Sequence, residues 1–230
     1  MFFFLRCVKK NKKKSVINKM IYVIITTSIN NKNDANARDK SDVNHRKERY
    51  MNSIKSLLKM IENEMEIKAI VVENNGSRST YLDELGCDVV YTKNNEKRYA
   101  HKGVNELLDM QEVIMRYEMK DEDMIIKLTG RYKVIDETFV NLVKTKMERY
   151  DAFVKFYNVC AQEYMQNDSV LGLFGLRCKY LKSLEYKCNT SPECEFARHV
   201  RKNVSNDRIM EVKHLGLECC FADDLRIVCV

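Results

Sequence analysis

Four short runs of apolar, largely β-branched residues limit what this chain can become: IYVIITTS at 21–28, KAIVVE at 68–73, CDVVYT at 87–92 and MIIKL at 124–128. The first is continuous rather than alternating, so it reads as a strand buried on both faces. Between the runs lie segments with helical spacing. Tyr50, Ile54, Leu57, Leu58, Ile61 and Met65 share a face in 46–65, and Val104, Leu107, Leu108, Ile114 and Tyr117 share one in 103–118. The polar stretch 29–45 reads as a loop. Thr80 and Asp83 have capping-box spacing for a short helix that Gly86 would end. Strand–helix alternation of this kind specifies a mainly parallel sheet with helices on both faces.

The later half is more mixed. An amphipathic helix is expected over 137–149, with Phe139, Leu142 and Val143 inward, then a half-buried strand over 151–157. A further strand is expected at 169–174, followed by a helix to about residue 187, and strands at 208–214 and 225–229. Ser191-Pro192 reads as a helix start, with Pro at the first helical position. The fold class expected is α/β: a mainly parallel sheet with an antiparallel addition in the C-terminal half, one domain over 20–230.

Charge matters here by its position. The formal net charge is +7, but residues 1–20 carry seven basic residues and no acid, and the remaining 33 basic residues match 33 acidic ones. The folded part therefore lacks the basic face of a general nucleic-acid binder. Residues 1–19 read as a solvated basic tail, with a membrane-surface or nucleic-acid arm as its functional reading. Met20 offers an alternative start immediately before the first strand. Phe2 to Leu5 is too short for the core of a signal peptide, and no apolar run approaches the 18 residues of a membrane span. None of the nine cysteines forms a C-x-x-C pair, and Cys219–Cys220 lacks zinc-ligand spacing. Reduced thiols and a cytoplasmic location are the expectation.

In an open parallel sheet, ligands bind beyond the carboxyl ends of the strands. Those ends here are Thr26-Thr27-Ser28-Ile29-Asn30, Glu73-Asn74-Asn75-Gly76 and Thr129-Gly130-Arg131-Tyr132, and His101-Lys102-Gly103 precedes a helix. This set suits an anion. Arg131 offers a planar fork to two phosphate oxygens, Gly130 a close backbone approach, and Lys102-Gly103 a cation with helix N–H groups. Tyr132 could stack on a sugar or base, or pack under the loop. Asn74 and Asn75 read equally as a turn or as ligand contacts. No G-x-G-x-x-G or P-loop follows the first strand, and no G-x-S-x-G elbow occurs.

The order TTSIN, Arg46…Tyr50…Ser53-Ile54, IVVENNG, HKGVNE, IIKLTGRY and SPECEFARHV resembles small glycosyltransferases of the A-type, nucleotide-diphospho-sugar transferase fold. Similar sugar transferases occur in bacterial polysaccharide clusters and large DNA viruses. The resemblance covers about residues 20–218. It implies a nucleotide-diphosphate sugar donor over the strand ends and a glycan or other hydroxyl acceptor against the second half. It places Thr26, Thr27, Ser28 and Asn30 at the base or ribose, with Arg49 and 101–106 lining the donor site. Glu73, Asn74, Thr129, Gly130 and Tyr132 join the donor set. His214 would lie near the diphosphate, and Glu193 or Glu195 would be the base, though first-turn glutamates also serve the helix dipole.

One departure stands out. Many such enzymes carry Asp-x-Asp after the fourth strand, holding Mn²⁺ or Mg²⁺, where this chain has Thr129-Gly130-Arg131. Its literal Asp121-Glu122-Asp123 precedes that strand, at the wrong end of the sheet. Either other ligands hold a metal, or Arg131 takes over its charge. The competing reading is a degenerate, non-catalytic transferase-like domain that binds a nucleotide or a protein partner. A nucleotidyltransferase would need a glycine-rich loop after strand one, and TTSIN argues against it.

Overall fold

The computed structural model describes residues 19–29, 40–76, 78–96, 99, 101–221 and 226–230, apart from the side chains of 40–44. Residues 1–18 of the basic tail, Asn30 and most of the polar stretch after it lie outside these residues. The elements run β1 (Ile21–Thr27), α1 (Lys40–Met60), β2 (Ile67–Glu73), β3 (Asp88–Tyr91), α2 (Lys102–Arg116), β4 (Met124–Thr129) and β5 (Lys133–Val134). There follow α3 (Thr138–Lys146), β6 (Ala152–Val154), β7 (Leu173–Arg177), α4 (Cys178–Lys182), α5 (Pro192–Asn203), β8 (Ile209–Glu211), β9 (Leu217–Cys220) and β10 (Ile227–Cys229).

Seven strands form one mixed, mostly parallel sheet in the order β3-β2-β1-β4-β7-β6-β8. Strands β3, β2, β1 and β4 pair in parallel, β7 is antiparallel to both β4 and β6, and β8 is parallel to β6. Strands β10, β9 and β5 make a small antiparallel sheet. The pleat sends Ile21, Val23 and Ile25 to one face, with Tyr50, Ile54, Leu57, Phe139 and Val143 of α1 and α3. Ile24, Ile70 and Ile125 go to the other, with Leu107, Met110, Phe196 and Val200 of α2 and α5. Each such side chain taken fully out of water contributes about 1.5–3 kcal/mol. This α/β architecture is the one the alternation specifies.

The departures have local causes. The strand expected at 169–174 begins only at Leu173 and runs to Arg177; ahead of it Val170 N bonds to Lys155 O, and Thr129 N to Gly172 O. A Cβ on Gly172 would lie 2.4 Å from the Tyr132 ring, so this stretch is shaped to pass that aromatic. The strand expected to 157 stops at Val154 and is wholly buried rather than half-buried. The helix expected to 187 ends at Lys182. The strand expected at 208–214 covers 209–211, and that at 225–229 covers 227–229. Gly216, at φ 59, then turns the chain into β9, which the pattern misses along with the two-residue β5. The short helix at 81–85 is capped as expected, with both capping-box bonds and Gly86 at φ 75. Asp121-Glu122-Asp123 does lie at the far end of β4. Asp123 accepts from Met20 N at 3.2 Å and Lys120 N at 2.7 Å, and Asp121 pairs with Lys182 at 2.7 Å.

Candidate functional site

Beyond the carboxyl end of β4, walled by the starts of α2 and α5 and by the stretch 168–172 that leads into β7, lies a cleft of about 380 Å³. Such a volume suits a small polar ligand. Six of the residues expected at the site line it: Lys102, Gly103, Thr129, Arg131, Tyr132 and Glu193.

Arg131 is the second residue after β4. Its Nε donates to Cys220 O at 3.0 Å, and its guanidinium lies 5.0 Å from the Tyr132 ring centroid. Tyr132 thus both lines the cleft and supports the arginine. Gly130 donates to Thr26 O at 2.9 Å, and a Cβ there would lie 2.9 Å from Thr27 Cγ2, so only glycine lets β4 leave the sheet this close to β1. Gly103 serves packing as well. A Cβ there would come 2.7 Å from Pro192, so the bare glycine brings the N-termini of α2 and α5 together beside the cleft. Aligned N–H groups from two helices favour negative charge at that wall.

A buried ion pair forms the floor. Lys127, within β4, has 2% of its side chain exposed, and its Nζ sits 2.6 Å from Glu106 Oε2. It also donates to Thr129 Oγ1 at 2.5 Å and Leu171 O at 2.7 Å. Burial pushes the Glu106 carboxyl up, but the adjacent Lys127 ammonium outweighs it, aided by Arg131, and holds the group below its usual range. Lys127 was not expected at the site, and Glu106 only as the end of the segment 101–106. The signal was present: a lysine inside MIIKL must find a partner.

The other expected residues build the frame. Glu73 is fully buried, and Thr27 Oγ1, Ile29 N and Asn75 N all donate to its carboxylate within 3.2 Å. It ties the turn after β1 to the end of β2. Thr26 and Thr27 are buried beside it, and Ser28 is held by Tyr50 and Arg46 of α1. Arg49 Nη1 and Asn74 Oδ1 are buried without a hydrogen-bond partner among the described residues, and neither lines the cleft. His101 caps α2 through its backbone alone. His214 is exposed on the turn between β8 and β9, outside the cleft lining.

The structure separates the two glutamates of α5. Glu195 accepts from Lys187 N at 2.6 Å, Asn189 N at 2.8 Å and Thr190 N at 3.3 Å, so its carboxylate is committed to holding that loop. Glu193 faces the cleft, and its main-chain carbonyl is fixed by Ser169 Oγ at 2.9 Å. Asp168 also lines the cleft, occupied by Asn158 Nδ2 and Ser169 N, both at 2.7 Å.

Behind the floor, Asp109 accepts from Thr92 Oγ1 at 2.6 Å, Asn94 Nδ2 at 2.8 Å and Asn74 Nδ2 at 3.0 Å. Burial pushes its carboxyl up to about 6, against the pull of those donors. Its ordinary value is 3.8, so on raising the pH the unfolded chain loses this proton first. Relative to Asp109→Asn, the protein is therefore expected to lose up to about 3 kcal/mol of stability between pH ~4 and ~6. Urea denaturation of both proteins across that window measures it, and a constant difference between them would reject the assignment.

No protein-family model matches the sequence, and no curated protein does. Solved structures do match in fold. Glucosyl-3-phosphoglycerate synthase from Mycobacterium tuberculosis, solved with Mn²⁺ and UDP-glucose, gives a TM-score of 0.53 over 84% of this chain and 68% of that one, at 13% identity. The mannosyltransferase PcManGT from Pyrobaculum calidifontis, in complex with GDP-mannose and Mn²⁺, gives 0.50 over 84% and 54%, at 10% identity. TarS of S. aureus gives 0.51 over 84% and 35%, at 14% identity. The fold is that of the nucleotide-diphospho-sugar transferases.

This chain spans about half of the mannosyltransferase and a third of TarS. The synthase and the mannosyltransferase were solved with Mn²⁺, but the described residues here do not fit such an ion. Among the described residues no group of three or more His, Cys, Asp or Glu is arranged to hold a metal. Where the transferase fold often places acidic ligands after β4, this chain places Arg131, and Glu106 is already taken by Lys127.

Proposed function

We propose that this protein transfers a glycosyl group from a nucleotide-diphosphate sugar to the hydroxyl of a glycan or other acceptor. The observation that carries the reading is Arg131, fixed at the end of β4 and facing a cleft that also holds Lys102, Lys127 and Glu193. In this reading the donor's diphosphate lies against Arg131 and Lys102, which stabilise the negative charge gathered there as the sugar–phosphate bond breaks. The bond electrons leave with the nucleoside diphosphate. In the inverting course, the acceptor oxygen forms the new bond to the anomeric carbon and gives its proton to Glu193. Tyr132 offers a ring face to the sugar or base. Glu73, Thr27 and Tyr50 act through the frame, holding the β1 and β2 ends in place.

A thermal-shift and calorimetric screen against UDP-, GDP-, CMP- and dTDP-sugars tests this. A ligand at 100 times its Kd stabilises by about 2.7 kcal/mol. Arg131→Ala is expected to weaken the bound donor by roughly 30-fold or more, the loss of about 2 kcal/mol or more on removing one side of a charge pair. Release of nucleoside diphosphate in the presence of acceptors then reports turnover. Binding without turnover would favour the degenerate, nucleotide-binding reading. Failure of every nucleotide sugar to bind would end the proposal.

A further inference from the structure

Resting on that donor reading, we infer that the cleft neutralises its nucleoside diphosphate with side-chain cations in place of a divalent metal, Lys127 being the fixed charge at its floor and Glu106 the carboxylate the diphosphate must outcompete.

The donor set points this way. A Mn²⁺ or Mg²⁺ ion asks for oxygen ligands, commonly one or two carboxylates beside the phosphates. Among the described residues three carboxylates line the cleft: Glu106 is bound to Lys127 at 2.6 Å, and Asp168 has both oxygens occupied at 2.7 Å. The third, Glu193, stands at the start of α5, across from β4 in sequence and element. The groups that face the β4 end are instead the Lys127–Glu106 pair and Arg131, and the Arg131 guanidinium repels a metal ion and attracts an anion.

The ammonium of Lys127 is not a mobile surface charge. Its three protons go to Glu106, Thr129 and the Leu171 carbonyl, which fixes it under the cleft. Glu106 is the more exposed member, with 27% of its side chain open against 2% for Lys127. It sits one helical turn beyond Lys102, so α2 places a cation and an anion on the same wall. Without a ligand, Glu106 offsets the charge of Lys127. An arriving diphosphate brings more negative charge than Glu106 and competes for the same cations. The carboxylate therefore weakens binding, which is the opposite of what a metal ligand would do.

Titration calorimetry of the full chain with UDP, GDP and inorganic pyrophosphate, each in EDTA and in Mn²⁺, tests this. Binding is expected to persist in EDTA. Glu106→Gln, which keeps an oxygen for Lys127 while removing the charge, is expected to tighten pyrophosphate about tenfold in EDTA. Lys127→Met is expected to weaken it at least as much, and Arg131→Ala supplies the same readout should the Lys127 variant fail to fold. Binding that requires Mn²⁺, or that Glu106→Gln weakens, would overturn the inference and leave the donor reading standing. Absence of binding by all three probes, with and without Mn²⁺, would overturn the donor reading and this inference with it.

Discussion

Replacing Glu193 by glutamine is expected to lower turnover by ~10²–10⁴-fold, the usual contribution of a general base, with nucleoside diphosphate affinity unchanged. The side chain sits in the first turn of α5, facing the cleft. Its backbone cannot drift, because Ser191 caps the helix through Cys194 N and Ser169 Oγ holds the Glu193 carbonyl. Glutamine preserves shape and hydrogen-bonding reach but cannot accept a proton. Losing the negative charge near the helix start costs about 0.3–1 kcal/mol of stability, too little to be mistaken for a folding defect. Glu195→Gln is the informative companion. It weakens the anchoring of 187–190, and its effect is expected in thermal stability rather than in the chemical step. Wild-type turnover in Glu193→Gln, measured by nucleoside diphosphate release, would remove Glu193 from the mechanism.

Asp151→Ala is expected to cost about 3–5 kcal/mol of stability, because it strands a charge in the interior. Arg177 is 1% exposed, and its Nε bonds Asp151 Oδ1 at 3.1 Å while Nη1 reaches Glu122 O at 2.7 Å. A third bond runs from Nη2 to Met147 O. Asp151 in turn accepts Arg208 at 2.8 and 2.7 Å, so one carboxylate serves two guanidinium groups. Burial works to raise the Asp151 carboxyl, but Arg208 and Arg177 outweigh it and hold it below 3.8. That stability is present above the ordinary carboxyl value and is lost as pH falls through the lowered one. Arg208→Ala is the control. Its side chain is 39% exposed, and its removal leaves the inner pair intact, so a loss of about 1 kcal/mol or less is expected. Urea denaturation at neutral pH separates the two, and equal losses would refute the buried-charge account.

The central part of the fold was legible because its physics is local. A strand buried on both faces must be apolar throughout, and IYVIITT and MIIKL advertise that. Ser191-Pro192 and Thr80 to Asp83 announce their helices through caps that act within four residues. The edges were harder. Strand β5 has two residues, and β9 exists only because Gly216 turns the chain and β5, more than eighty residues earlier, joins β10 in supplying partners. The site divides the same way. Arg131 could be placed because it lies two residues beyond the end of a strand. Lys127 and Glu106 could not be paired, because their contact joins the first turns of α2 to the far part of β4, about twenty residues on, and depends on how the helix packs on the sheet. The choice between Glu193 and Glu195 needed the loop at 187–190, whose backbone N–H groups claim one of them.

Strand β4 occupies the centre of the sheet, with β1 on one side and β7 on the other. During synthesis its two neighbours emerge at very different times. Strand β1 is complete about a hundred residues earlier, but β7 is not finished until Arg177. At ~5–20 residues per second, roughly several seconds pass in which β3, β2, β1 and β4 can pair while β4 remains an open edge. An apolar strand in that position is a template for other chains. Lys127 then has a second consequence, as an inward-pointing charge midway along the temporary edge, of the kind that discourages sheet-to-sheet association. A chain that stops before Leu173 would keep that edge permanently.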